Sequence, residues 1–349
     1  MKDSIEALVR PNISRLCPYS TARDEYKGDI GVFLDANESP YPTGWNRYPD
    51  PRQEALKAAL APIKGVKSEN IFLGNGSDEA IDMIFRVFCV PGKDNVVAIS
   101  PSYGMYSVCA EINDVQVREV RLREDFSLPA EDLLAACDSS TKAIFLCSPN
   151  NPSGNAFSNE EICGILERFG GIVVVDEAYI DFCSVPSLLP FIEKYSNLVV
   201  LQTFSKARGM AALRLGMAFS NPYVIRLMSM VKYPYNINES TQRLSLESLR
   251  SPIDSQVAEI VAQRSLTAEA LAGFGFVEKV YPSEANFLLV KVKDADELYN
   301  HLIADGIIVR NRNKVAGCSG CLRITIGLPE ENDKLMKSLT AYEKGDIRR

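Results

Sequence analysis

Ile172-Val173-Val174-Val175-Asp176-Glu177-Ala178-Tyr179 sets four β-branched residues in a row and closes the run with two acids. Branching at Cβ favours the extended, pleated backbone, so the run reads as a buried strand with its acids at the carboxyl end. Short apolar runs of the same kind stand at Val96–Ile99, Ala143–Cys147, Leu198–Gln202 and Leu215–Phe219. Helical patterns accompany them at 54–61, at 158–169 and at Ser77–Phe88, where Ser77-Asp78-Glu79 has the polar start of a capped helix. Strand and helix in alternation predict an α/β fold, a mostly parallel central sheet with helices on both faces. Such a sheet gathers its functional loops at the carboxyl ends of the strands.

From about residue 241 the pattern changes. A long helical stretch, Gln242–Phe274 with a break near Pro252, leads to strand Asn286–Val292, helix Ala295–Ala304, strands Ile307–Val309 and Leu322–Ile326, and a final helix from Pro329. This predicts a smaller α+β domain at 241–349 beside a large domain at 36–240. Residues 1–35, rich in polar and turn residues, read as an arm that packs on the smaller domain or on a partner subunit.

A chain of 349 residues accommodates roughly two domains. Its net charge of -7 is spread rather than blocked, which argues against a nucleic-acid surface or an anionic membrane surface. No apolar run reaches the ~20 residues of a membrane span and the first residues lack a signal-peptide core, so the expected location is cytoplasmic. Nine cysteines, an odd number with Cys89, Cys109, Cys147 and Cys163 in apolar segments, read as reduced buried thiols. Cys318 and Cys321 form a lone CxxC without a second pair, and no metal is expected. The single histidine, His301, reads as a solvated residue of a surface helix, which argues against Ser-His-Asp hydrolysis.

The chemistry concentrates near Thr203-Phe204-Ser205-Lys206-Ala207-Arg208-Gly209. A lysine after a hydroxyl-rich turn can form a Schiff base with an aldehyde, and an aspartate at a strand end can keep a pyridinium nitrogen protonated. Lys206 and Asp176 together suggest pyridoxal phosphate (PLP), with Tyr179 in reach of the ring's phenolic oxygen. A strand-end aspartate also holds Mg²⁺ in phosphate-handling enzymes, but the chain carries no GxxxxGK[ST] loop to go with it. Gly74-Asn75-Gly76-Ser77-Asp78-Glu79 reads either as a phosphate cup at a helix N-terminus or as an ordinary loop and capped helix. Arg214 suits a bidentate phosphate contact. Ser148-Pro149-Asn150-Asn151-Pro152-Ser153-Gly154 is dense in turn formers and can aim an amide into the strand-end cleft. Each of these residues taken alone is more often structural; the set carries the weight.

These segments, in this order, resemble the fold-type I PLP-dependent aminotransferases, and their finer wording is similar to the histidinol-phosphate aminotransferase family. Cys17-Pro18-Tyr19, Leu34–Glu38, Arg47-Tyr48-Pro49-Asp50, Pro101–Tyr106, Phe204–Gly216, Val309–Arg312 and Cys321–Gly327 carry the likeness with the stretches already quoted. The resemblance implies the fold-type I architecture and pyridoxal 5'-phosphate as cofactor. It implies Lys206 as the Schiff-base lysine, Asp176 as the pyridinium partner, Tyr179 and Asn151 on the phenolic oxygen, and Tyr103 stacked on the ring. Gly76, Ser77, Asp78, Thr203, Ser205 and Arg214 would surround the cofactor phosphate, helped by Tyr48 from the other subunit of a homodimer with shared active sites. Arg323, with Arg310, Tyr19 and Asn37, would bind substrate: the phosphate of histidinol phosphate in one half-reaction, the carboxylates of glutamate or 2-oxoglutarate in the other. The same scaffold also serves decarboxylation of a phosphorylated amino acid such as threonine phosphate, and aromatic amino-acid transamination. Arg208 departs from the family wording, where an apolar residue is commoner, and reads as a solvated loop residue.

Overall fold

Seven strands form one sheet in the computed structural model, which describes residues 5–19 and 31–345. They are β1 (Ile71–Asn75), β2 (Asn95–Ser100), β3 (Gln116–Arg121), β4 (Thr141–Cys147), β5 (Ile172–Asp176), β6 (Leu198–Thr203) and β7 (Leu215–Phe219), in the order β1-β7-β6-β5-β4-β2-β3. Neighbours from β6 through β3 pair in parallel, whereas β7 runs antiparallel to both β6 and β1. The reversal has a covalent cause. Only Phe204 to Arg214 separate β6 from β7, and a parallel return needs a crossover of about a dozen residues or more.

Helices cover both faces. They are α1 (Glu54–Lys64), α2 (Ser77–Phe88), α3 (Met105–Ile112), α4 (Ala130–Ala135), α5 (Asn159–Arg168) and α6 (Pro222–Val231). Side chains alternate across a strand: Val173 and Val175 of β5 enter one core with α1, α4 and α5, while Ile172 and Val174 enter the other with α2, α3 and α6. The predicted strands and helices of this region lie within one to three residues of those observed. Absent from the prediction are β1, then β3, a charged strand at the sheet edge whose burial is only partial, and α3, α4 and α6.

After α7 (Glu239–Ser248) and α8 (Asp254–Ala272), a second, wholly antiparallel sheet has the order β10-β11-β9-β8. Its strands are β8 (Val277–Val280), β9 (Phe287–Val292), β10 (Arg310–Asn311) and β11 (Cys321–Thr325), packed with α9 (Ala295–Ala304) and α10 (Pro329–Glu343). The strand predicted at Ile307–Val309 is displaced: Ile307 and Val309 serve the small core by packing, Ile308 is exposed, and the ladder starts at Arg310. Tyr179, Phe182, Ala207, Ala285 and Phe287 join the two sheets in a further apolar cluster.

Two expectations are corrected. His301 is buried, because with Ala295, Leu298 and Leu302 it belongs to the inward face of α9; its Nε2 lies 3.1 Å from the Ser338 carbonyl oxygen. Of the N-terminal arm, Ile5, Val9 and Ile13 are buried with α2 and α6 under the large sheet rather than on the small one, and residues 1–4 and 20–30 lie outside the described residues. Among the described residues no helix is long and apolar enough to cross a membrane.

Candidate active site

β1 and β6 are both antiparallel to β7, so β1 points the same way as the parallel strands. The carboxyl ends of β1, β2, β4, β5 and β6 therefore share one edge of the sheet, together with the amino end of β7. That edge is where Ser77, Tyr103, Asn151, Asp176, Lys206 and Arg214 meet. With Asp78, Tyr179, Thr203 and Ser205 they line one cavity.

Asp176 forms its floor. Cys147 of β4 sits in register beside it. Strand alternation turns Asp176 toward the cavity and its neighbour Glu177 away; Glu177 is consumed by the Leu188 N–H at 2.7 Å and the Gln202 amide at 2.9 Å. The Asp176 carboxylate accepts from the Tyr106 hydroxyl at 2.9 Å and the Ala178 N–H at 3.1 Å. Burial pushes its pKa up to about 6, with the two hydrogen bonds opposing the rise. A buried carboxylate that holds a proton so readily is suited to a cationic N–H partner.

Lys206 stands on the turn after β6, half-buried, with Nζ 5.5 Å from the centre of the Tyr179 ring. Burial depresses its pKa, and the Arg323 guanidinium adds to the depression. Asn151 joins the two sides of the site: its Nδ2 approaches the Tyr179 hydroxyl at 3.5 Å, and its Oδ1 accepts from Arg323 Nη1. Burial holds the Tyr179 hydroxyl well above the usual phenol range, so it stays a donor.

At the other end the first turn of α2 faces Arg214. The helix start differs from the prediction, because its N-cap is Gly76, which has no side chain to cap with, and Ser77 is already the first helical residue. The amides of that turn remain available to an anion. Gly76 is required sterically: its φ is +77°, and a Cβ there would lie 2.4 Å from Arg214 Nη2. Gly216 of β7 is required too, since its Cβ would lie 2.0 Å from the Ser77 nitrogen. Arg214 itself takes a left-handed backbone (φ +56°), with its carbonyl accepting from the Gly76 N–H. Asp78 is used differently from the expectation of a direct phosphate neighbour. Its carboxylate accepts from the Tyr103 hydroxyl at 2.9 Å and pairs with Arg214 Nη2 at 3.2 Å, so it aims those two side chains and offers an anion only its backbone.

Arg323 and Arg310 line a larger hollow that opens from the cavity and shares Tyr103, Asn151, Tyr179 and Lys206 with it. Three expected residues stand elsewhere. Tyr48 and Asn37 border a separate hollow, where Tyr48 stacks on Tyr235 at 4.4 Å, and Tyr19 is 76% exposed. Arg208 is not solvated: it is half-buried over the Phe204 ring and donates to the Ser248 carbonyl at 3.0 Å, satisfying the last turn of α7. Sequence reasoning missed Tyr106, although it sits three residues after Tyr103, a spacing that puts both on one side of a helix start. It also gave no role to Cys147 or Arg312.

A phosphate monoester fits the turn of α2 with Arg214, Thr203 and Ser205; a protonated ring nitrogen fits Asp176; an aldehyde fits the Lys206 amine. The donor set therefore suits pyridoxal phosphate. Among the described residues no cluster of three or more His, Cys, Asp or Glu side chains is placed to hold a metal.

The family model for class I and II aminotransferases matches residues 32–339. The chain is 55% identical over 341 residues to the histidinol-phosphate aminotransferase of Parabacteroides distasonis, covering 97% of this chain and 99% of that protein. Its fold is similar to the crystal structure of the histidinol-phosphate aminotransferase from Clostridium acetobutylicum, with a TM-score of 0.80 and 25% identity over 86% of this chain and 92% of that one. It is also similar in fold to the enzyme of that name from Sinorhizobium meliloti in complex with pyridoxal-5'-phosphate, with a TM-score of 0.79 and 24% identity over 89% of this chain and 90% of that one.

Proposed function

The chain belongs to the class I and II aminotransferases, among the histidinol-phosphate aminotransferases, and from that membership we propose that it exchanges an amino group between histidinol phosphate and 2-oxoglutarate with pyridoxal phosphate in the Lys206 cavity. The reaction is a step of histidine biosynthesis. The observation that carries the reading is the meeting, in one cavity, of an amine with a depressed pKa, a buried carboxylate and an anion cradle, with Arg323 at the rim.

When bound, the cofactor supplies a ring that accepts the electrons left at the substrate Cα. The chain does the rest. Lys206 would hold the cofactor by its amine and, once released, take the proton from Cα; a depressed pKa gives it the neutral form this requires. Asp176 keeps the proton on the ring nitrogen, held in place by Tyr106 and Ala178. Asn151 and Tyr179 meet the phenolic oxygen, Tyr103 covers the ring, and Gly76, Ser77, Asp78, Thr203, Ser205 and Arg214 surround the phosphate. Arg323 and Arg310 receive the substrate anion; Tyr19 and Asn37, which stand outside this hollow in their own chain, would join them only across the interface of a dimer.

Decarboxylation of a phosphorylated amino acid would use the same groups and differ in which Cα bond stands perpendicular to the ring. The 55% identity to an aminotransferase favours transamination. The deciding measurement is the absorbance of the PLP-loaded protein on adding histidinol phosphate without a keto acid. The aldehyde form's visible band is expected to give way to the amine form's near-ultraviolet band, and 2-oxoglutarate to restore it. A band that stays unchanged would reject the reading.

The proposal includes a homodimer with shared sites and a cytoplasmic location. Tyr48 and Asn37 lie outside the Lys206 cavity of their own chain, and Val32, Leu34, Tyr41 and Trp45 near them are exposed, which suits a second copy seated there. Sedimentation velocity is expected to return twice the 38.6 kDa chain mass; a fully active monomer would overturn the shared site. All nine cysteines are free thiols, which suits a reducing compartment. The division into parts near residue 240 belongs to the same proposal and is supported by the core that the small sheet shares only with its own helices.

A further inference from the structure

Three guanidinium groups share one face of the small sheet with no carboxylate within ion-pair distance among the described residues, Glu119 being the one acid that lines the same hollow. Arg310 stands directly opposite Arg323 in the β10/β11 ladder, and the Arg312 N–H donates to the Cys321 carbonyl at 2.9 Å, carrying the ladder one residue further. Because strand side chains alternate, Arg310, Arg312 and Arg323 all project from the same face. There they line the hollow that contains Lys206 and Tyr179. The other face of this edge is closed, with the Asn311 and Asn313 amides donating to Asp296 at 2.6 and 3.0 Å.

Like charges directly opposite in a ladder are destabilising, and burial raises the cost. Arg312 is half-buried; its Nε and that of Arg323 are buried without a hydrogen-bond partner. Among the described residues none of the three arginines forms an ion pair. Burial and then Arg310 hold the Arg312 pKa below the usual range, and Arg312 and Arg310 add to the effect of burial on Arg323. The cluster is thus an excess of positive charge at the substrate end of the site, three arginines and Lys206 against the single acid Glu119. A single carboxylate neutralises one of the three groups; a phosphate monoester brings a second negative charge and a third oxygen.

We infer that Arg312 is a specificity-determining residue that, with Arg310, makes this end of the site select a dianionic phosphate monoester over a carboxylate, while Arg323 serves both anions. The inference rests on the proposed transamination for its substrates and on the arginine geometry for its selectivity.

The test compares wild type with Arg312→Gln and Arg312→Lys as PLP-loaded protein. Single-turnover kcat/KM for histidinol phosphate is expected to fall about 30- to 100-fold in Arg312→Gln, the size of one lost charge-assisted contact, while glutamate falls less than about threefold. Arg312→Lys keeps the charge but not the fork and is expected to fall between. Equal losses for both donors, or no loss for either, would overturn the inference. A second arm measures binding of inorganic phosphate against acetate by calorimetry on the same proteins. Phosphate affinity is expected to drop about tenfold in Arg312→Gln with acetate little changed, and parallel behaviour of the two anions would overturn the selectivity. Should wild type fail to turn over histidinol phosphate, the proposed reaction falls, and the anion arm still judges Arg312.

Discussion

Replacing Lys206 by alanine is expected to lower kcat by at least about four orders of magnitude, because the residue is assigned both the covalent anchor and the proton carrier, and proton transfer alone is worth about 10²–10⁴. Among the described residues no other lysine lines the cavity, so none of them can substitute. The side chain stands at the edge of the site rather than in either main core, and its loss removes no ladder partner. The fold should survive, and circular dichroism can establish that it does. Turnover is then measured with histidinol phosphate and 2-oxoglutarate, with and without added methylamine. Partial recovery with the small amine would identify the missing group as the amine itself. A correctly folded Lys206→Ala protein with more than about 1% of wild-type turnover would remove Lys206 from the centre of the reaction.

The second large effect is expected at Asp176, where activity and stability should move in opposite directions. Its pKa in the folded chain is about 6, against 3.8 for an ordinary aspartate, and burial is the main cause. The folded state therefore binds this proton more tightly than the unfolded state. The corresponding stability is fully present below about pH 4 and is lost as pH rises through about 6. Above that, the ionised carboxylate costs on the order of 3 kcal/mol in the cofactor-free protein. Asparagine has the same shape, can still accept from the Ala178 N–H, and carries no charge. Cofactor-free Asp176→Asn is expected to melt several degrees above wild type at pH 8, with the gap closing toward pH 5. Its kcat, measured with PLP, is expected to fall about a thousandfold, because an amide does not hold a proton on the ring nitrogen. A variant less stable than wild type at pH 8 would refute the cost assigned to the buried charge. Activity within tenfold of wild type would refute the role.

The opposed effects of Asp176 bear on how much of the site was legible beforehand. The acid announces itself as the end of an apolar run, since a charged residue after Val175 marks where a buried strand meets a cleft. Lys206, Thr203 and Ser205 are legible for the same reason after β6. Tyr106 was not, because a tyrosine at helical spacing looks like any core aromatic; only the 2.9 Å contact with Asp176 gives it a task. Asp78 was placed near the phosphate by its neighbours in sequence, yet its carboxylate is taken by Tyr103 and Arg214. Arg208 and His301 look solvated in the sequence because their partners, the Ser248 carbonyl and the Ser338 carbonyl, stand 40 and 37 residues away.

By itself, then, the sequence determined the order of strands and helices, the strand-end position of Asp176 and the turn that carries Lys206. These depend on local patterns: branching at Cβ, alternation of polarity, turn residues. It also determined the reversal of β7 through the short link after Thr203, although that consequence shows only once the sheet is assembled. The tertiary structure alone decided what meets what. Asn151 reaches Arg323 across 172 residues of chain and Asp78 reaches Arg214 across 136. The three arginines of the small sheet face Lys206 because two sheets pack through Tyr179 and Phe287. Contacts of that range arise from burial of apolar faces, which acts without regard to sequence separation, and no local pattern encodes them.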